Sequence, residues 1–313
     1  VRIILIQRFA SNKKYASVIG YSNSVWFNVY TGIILKNILL FIAISVSTVF
    51  IFAQAIPEKI IGENDLVIVN KEASNIPFRY QKLVNAFGNV MYNEVDADGK
   101  LTDSYYGCTG THMGNGYIIM AGHCVGATSV VTSQENCHFI QNDNPLISSQ
   151  VHISTIDFGY REEGKPLMRS ECQQIVAAMY DPVNGIDFAI VKVSTYPAEF
   201  ILPDTKRRTI TGDTLTIFSH PEGEVLQWSK TCGVERILHP ELSSSFIHHK
   251  CDTKPGSSGA AIINVLSLRI VGVHDGGWND FDIVTGLPLK SGMNSGTYIL
   301  SSPLYNALKN IGF

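Results

Sequence analysis

The stretch CDTKPGSSGAAI, Cys251 to Ile262, sets Ser257 and Ser258 between two glycines. Alone it reads as loop material, because Gly-Ser runs are common in turns. A serine hydroxyl is a poor nucleophile at neutral pH unless a base takes its proton and an acid orients that base. A base is offered by His123 in MAGHC, at the end of a strand and beside Cys124. An acid is offered by Asp187 in NGIDFAIVKV, at the mouth of an apolar strand. Taken singly, His123 is a structural histidine and Asp187 a turn former after Asn184-Gly185. Taken together, in the order His123, Asp187, Ser258, they are the parts of a nucleophilic acyl-transfer site.

Such groups need rigid elements to hold them. KLVNAFGNVMYN (Lys82 to Asn93) reads as a strand with a glycine interruption, and GCTGTHMGNGYIIMAGHC (Gly107 to Cys124) as a hairpin turning at Gly114-Asn115-Gly116. FAIVKV, DTLTIFS, AAIINV and RIVGVH are further short, β-branched strands separated by Gly, Pro, Asn and Asp. Only the tail, SPLYNALKNIGF, reads as a helix. Many short strands with turn signals indicate a sandwich or a barrel. NEVDADGKLTD (Asn93 to Asp103) has the early ligands of a calcium loop in Asp96 and Asp98, but its closing position falls on Tyr105, which does not ligate as glutamate does. It reads as a solvated hairpin tip, and no metal or other cofactor is expected.

The 313 residues, 45% of them hydrophobic, suffice for one large β domain or two smaller ones. A net charge of −3 and a pI near 6.3 give no basic patch for a nucleic-acid partner. Six cysteines, none in a C-x-x-C pair, indicate disulfides in an oxidising compartment rather than a zinc ribbon. That compartment is signalled by LKNILLFIAISVSTVFIFAQAIPEK: a positive flank at Lys36, an apolar stretch from Ile38 to Phe52, and a small-x-small site at Ala53-Gln54-Ala55. The apolar run is short for a stable membrane span. The expected organisation is residues 1–34 as a spurious upstream extension, with translation starting at Leu35, or as a short tail. Residues 35–55 form a signal peptide, 56–59 a short propeptide, and 60–313 the functional domain. The expected product is a secreted zymogen that matures to a monomer with no stable membrane association.

CTGTHMGNGYIIMAGHC, GIDFAIVKV and PGSSGAAI together resemble the chymotrypsin-like serine proteases. The resemblance covers roughly Ile60 to Phe313. It implies an all-β fold of two packed, antiparallel, six-stranded barrels with a C-terminal helix, and polypeptide substrates. In the family pattern the nucleophile is the third residue of Gly-x-Ser-Gly, here Ser258, and the N–H groups of Gly256 and Ser258 form the oxyanion hole. The histidine loop would be closed by Cys108–Cys124. Cys232–Cys251 would flank the second barrel's approach to Ser258, leaving Cys137–Cys172 to staple the long segment between His123 and Asp187. Ser257 departs from the trypsin-type pattern, where an aspartate pairs with a new N-terminal ammonium. KIIGENDLVIV, FSHPEG, DTKPGSSG and VGVHDGG bring the chain closer to the secreted bacterial glutamyl endopeptidases. That resemblance implies substrate binding by Thr253 and His274, helped by a free N-terminus at Ile60 after cleavage behind Lys59. HDGG replaces an aromatic residue usual after the histidine. Asp252, six residues before Ser258, points the other way, toward Arg or Lys. Cleavage after Glu is the expectation, with Arg/Lys specificity and an inactive binding module as alternatives.

Overall fold

The computed structural model describes residues 59–95, 101–137, 150–182, 184–237, 246–278 and 292–313, and about half of them lie in fourteen strands. The chain divides into a segment Val1–Gln54, outside the described residues, and a unit Ala55–Phe313, to which all that follows refers. The expected signal peptide, propeptide and start site therefore lie outside the described residues, save Lys59. Strand β1 (Val67–Ile68) and a one-turn helix α1 (Phe78–Gln81) lead into β2 (Phe87–Val95), β3 (Leu101–Gly114), β4 (Tyr117–Met120), β5 (Thr132–Gln134), β6 (Gln150–Phe158), β7 (Met168–Asp181) and β8 (Ile186–Val193). There follow β9 (Thr214–Ser219), β10 (Gln227–Ile237), β11 (Phe246–His249), β12 (Ala261–Asn264), β13 (Arg269–Trp278), β14 (Met293–Tyr298) and the C-terminal helix α2 (Ser302–Asn310).

Two closed barrels result. In the first, β7-β6-β2-β3-β4-β8 run side by side and the β7–β8 pairing closes the ring, with β5 added outside β7. In the second, β10-β11-β14-β13-β12-β9 close through β9–β10, with β1 added outside β10. Each ring has six antiparallel strands, so the two-barrel expectation is met. Closure leaves few exposed edges, which otherwise invite pairing with another chain. Among the described residues no helix is long and apolar enough to cross a membrane.

Strands β4 and β8 are largely apolar because both of their faces are covered. Ala189, Val191 and Val193 of β8 fill the first barrel. The alternate residues Ile186, Phe188 and Ile190 join the core between the barrels, as the two-residue period of a strand requires. In β4, Ile118 and Met120 point into the barrel and Ile119 out to the shared core. The second barrel is filled by Leu215, Ile217, Ile262 and Val271. Phe87 from the first barrel stacks on Phe218 from the second, with ring centroids 5.1 Å apart. Each fully buried side chain of this size contributes about 1.5–3 kcal/mol, so the shared core holds the two barrels in one register. Leu304, Ala307 and Leu308, spaced along one face of α2, pack into it.

The hairpin at Gly114-Asn115-Gly116 is present, all three residues having positive φ. Lys82 to Ala86 differ from the expected strand: Val84–Ala86 form a 3-10 turn and the strand begins at Phe87. Around the DADG segment β2 and β3 pair up to Val95 opposite Leu101, as a hairpin; its tip, 96–100, lies outside the described residues. The three disulfides are Cys108–Cys124, Cys137–Cys172 and Cys232–Cys251. The first closes a span of 16 residues, a loop for which chain entropy predicts about 3 kcal/mol.

Candidate active site

His123 opens a 3-10 turn, His123–Val125, just beyond β4. The backbone reaches that point because residue 122 is glycine: a Cβ there would lie 2.2 Å from the carbonyl oxygen of Met179 and 2.8 Å from that of Phe188. The turn therefore sits directly on β7 and β8, and β8 brings Asp187. The Asp187 carboxylate is buried and takes hold of His123 twice. Its Oδ1 accepts the His123 backbone N–H at 2.8 Å, and its Oδ2 accepts from Nδ1 at 2.6 Å. An ionised carboxylate only accepts, so Nδ1 carries the proton and Nε2 is left with its lone pair. The His123 side chain keeps 32% of its surface exposed, against 6% for Asp187. The edge of Tyr180 braces the ring, 6.1 Å between centroids.

Asp187 is itself held from the second barrel. Its backbone N–H donates to Thr297 Oγ1 at 2.6 Å. No local sequence signal marks Thr297; it is a β14 residue that reaches β8 only once both barrels are folded.

The two serines have opposite surroundings. Ser257 is buried, its hydroxyl 3.0 Å from that of Ser219 and accepting the Lys254 N–H at 3.3 Å. Ser258 is partly exposed. Its carbonyl oxygen accepts the Thr109 N–H at 2.8 Å and lies 3.9 Å from Cys124 Sγ, next to His123. The following glycine makes that approach possible: Gly259 has φ +89, and a Cβ there would lie 2.3 Å from the Thr109 carbonyl oxygen. Gly259 N–H donates to the carbonyl of His274 at 2.7 Å. The serine loop is thus clamped between β3 of one barrel and β13 of the other.

Gly256 has φ +96 and faces backbone on its crowded side, with a Cβ there 2.6 Å from Glu222 N and 2.9 Å from His220 O. The peptide before it is oriented from outside the loop. The Pro255 carbonyl accepts the Glu222 N–H at 2.5 Å. In a trans peptide the C=O and the next N–H point oppositely, so this bond turns the Gly256 N–H away from Glu222. Glu222 reaches its place with a left-handed φ of 56, a conformation costly for a residue with a Cβ. The Gly256 carbonyl is held by the Thr109 hydroxyl at 2.9 Å. Sequence reasoning singled out the FSHPEG motif but not this support for Pro255.

Of the residues expected to bind substrate, Thr253 and His274 are fully buried. His274 Nδ1 lies 2.9 Å from the Ser295 carbonyl oxygen, and its ring meets His249 edge to face at 5.3 Å. The Thr253 hydroxyl is buried without a hydrogen-bond partner among the described residues. Asp252 is buried with both oxygens engaged by the N-terminal segment: Oδ1 accepts the Ile61 N–H and Oδ2 the Asp65 N–H, each at 2.7 Å. The Thr253 N–H donates to the Lys59 carbonyl at 3.1 Å. Asn294 completes the clasp, donating to the carbonyls of Lys59 and Cys251 at 2.8 Å each. Residues 59–65 are therefore laid beside Asp252 and Thr253.

Among the described residues, two groups place three metal-ligating side chains together, Cys108/His123/Cys124 and Cys232/His249/Cys251. In each the two sulfurs are joined as a disulfide, which offers a metal no thiolate.

Burial pushes the pKa of His220, which precedes the Glu222 turn, down to about 4. Burial, with His274 and His248 adding to it, pushes His249 well down. Both folded-state values lie below the unfolded 6.5, so an acidified unfolded chain binds protons that the folded chain refuses. Stability is full above pH 6.5 and falls as pH drops through 4, by up to about 3 kcal/mol for His220. Urea unfolding at pH 7 and pH 4.5 should show the loss, and His220→Gln should flatten that dependence. An unchanged slope in His220→Gln would refute this assignment.

The family model described as a trypsin-like peptidase domain matches residues 108–273. Among solved structures, a Glu endopeptidase in complex with MPD is similar at 18% identity and a TM-score of 0.49, over 80% of this chain and 98% of that one. No curated protein sequence matches the chain.

Proposed function

The chain belongs to the trypsin-like peptidase domain family, and from that premise we propose that it is an active serine endopeptidase with Ser258 as nucleophile, His123 as general base and Asp187 as the orienting acid. The observation that carries the proposal is the double grip of Asp187 on His123, with Ser258 anchored against the disulfide of the histidine loop. Nε2 of His123 takes the Ser258 proton as Oγ attacks the substrate carbonyl. The resulting imidazolium then protonates the leaving amine, and water repeats the cycle on the acyl-enzyme. The Gly256 N–H, turned by the Pro255–Glu222 bond, and the Ser258 N–H stabilise the oxyanion, each such donor being worth about 3–4 kcal/mol of barrier. Peptides are the substrates, and the mature enzyme acts as a secreted monomer. Three disulfides support an oxidising compartment.

The preferred cleavage is after Glu, with Asp weaker. An Arg-binding pocket needs a carboxylate free to face the substrate, whereas both oxygens of Asp252 already accept backbone amides. Thr253 offers a buried hydroxyl as donor, and His274 offers an imidazole. Cleavage behind Lys59 would free the ammonium of Ile60 in the segment that lies beside Thr253.

Two measurements test the two levels separately. A fluorophosphonate should label the secreted protein at Ser258; absence of labelling in folded, mature protein favours an inactive binding module. Profiling on a peptide library should give cleavage after Glu that is lost in His274→Ala. Cleavage mainly after Arg or Lys, lost in Asp252→Ser and kept in His274→Ala, would reject the glutamyl assignment and leave serine catalysis standing.

A further inference from the structure

Directly after His274 the register of β13 against β14 slips, between His274 and Gly276. Asp275 is the extra residue of this bulge. A bulge re-aims a side chain, and here it turns a second carboxylate toward the catalytic groups. Asp275 Oδ1 accepts the Ser295 hydroxyl at 2.6 Å. Its Oδ2 lies 3.5 Å from Thr297 Oγ1, the same hydroxyl that accepts the Asp187 backbone N–H. Among the described residues no lysine or arginine pairs with Asp275. The ionisable groups around it are Asp187 on β8, His123 on the 3-10 turn, Tyr180 on β7 and its neighbour His274, with His249 of β11 behind His274.

We propose that Asp275 is a positioning residue of the site, a second carboxylate behind Asp187 whose charge state sets the basicity of His123. The catalytic meaning rests on the serine-protease reading; the placement of Asp275 behind Asp187, through the Thr297 hydroxyl, does not. Partial burial, and then the neighbouring Asp187 carboxylate, push Asp275 up to about 7. It therefore holds a proton in mildly acidic solution and releases it as the pH rises through neutrality. An ionised Asp275 favours imidazolium at His123, because an opposite charge favours the charged form of its neighbour. The two groups then titrate as a coupled set with Asp187. The aspartate that replaces the aromatic residue of the resembled subfamily thus acts as a charge rather than as a wall.

The test is the NMR titration of the His123 imidazole in the Ser258→Ala protein, with the signal assigned through its loss in His123→Gln. Asp275→Asn keeps an acceptor for Ser295 and removes the charge; it should lower the His123 pKa by roughly one unit. In the active protein, the acid limb of the rate of fluorophosphonate labelling should move down by the same amount. An unchanged His123 pKa in folded Asp275→Asn would overturn the proposal. Ser295→Ala removes the hydroxyl that favours ionised Asp275, along with its 3.3 Å contact to the Gly276 carbonyl, and should shift His123 in the same direction by less. If Asp275→Asn fails to fold, an unmoved His123 in Ser295→Ala overturns the proposal instead. Failure of labelling at every pH in the wild type would count against serine catalysis, and the histidine titration alone would then decide on Asp275.

Discussion

Ser258→Ala should abolish peptide hydrolysis, by about a millionfold, while leaving a folded protein. The partly exposed Ser258 side chain is removed from the reacting position, whereas the backbone bonds that hold its loop, from Thr109 to the Ser258 carbonyl and from Gly259 to His274, do not involve the hydroxyl. Ser257→Ala should do the reverse. Its hydroxyl is buried against Ser219 and the Lys254 N–H, so the loss is one or two buried hydrogen bonds, costing about 1 kcal/mol each, with most of the activity kept. The pair of variants is a register test. Hydrolysis rates with near-UV circular dichroism as the folding control decide it: a dead Ser257→Ala beside an active Ser258→Ala would place the nucleophile one residue earlier. His123→Ala combined with Ser258→Ala should be no worse than either alone, because the two act as one unit.

What could be read from the sequence follows from how local each feature is. The hairpin at Gly114-Asn115-Gly116 and the apolar run of β8 are written in consecutive residues, and so are the surroundings of His123, Asp187 and Ser258. β7 was not legible because MRSECQQIVAAMYD mixes helix formers with polar residues; its place as a strand comes from pairing with β6 on one side and β8 on the other. Strands β11 and β14, FIHH and MNSGTY, are too short for a period to show. The direction of Asp252 was beyond local reading, since its partners Ile61 and Asp65 precede it by 191 and 187 residues. Asp275 stood out only as the replacement of an expected aromatic residue; the bulge that aims it exists only in the paired sheet. Thr297 and Glu222 act through the second barrel and a strained turn, for which single-chain patterns carry no signal.

Asp187→Asn should lower the rate of Ser258 labelling and of hydrolysis by about ten-thousandfold at neutral pH, with little change in backbone structure. The reason lies in the two bonds to His123. Both receive a proton from histidine: the backbone N–H gives to Oδ1 and the ring Nδ1–H gives to Oδ2. Asparagine has one oxygen and one NH₂ in the same space. If the NH₂ faces Nδ1, that nitrogen must accept, its proton moves to Nε2, and the base can no longer take the serine proton. If the amide turns over, the NH₂ meets the His123 backbone N–H, and two donors face each other in a site where Asp187 is almost wholly buried. Either arrangement loses the tautomer or the placement of the ring, and neither restores the charge that stabilises the imidazolium. Labelling rates across pH, beside the thermal midpoint of the variant, provide the check. A loss smaller than tenfold in a folded Asp187→Asn protein would mean that His123 is oriented without this carboxylate, and the acid of the site would have to be sought elsewhere.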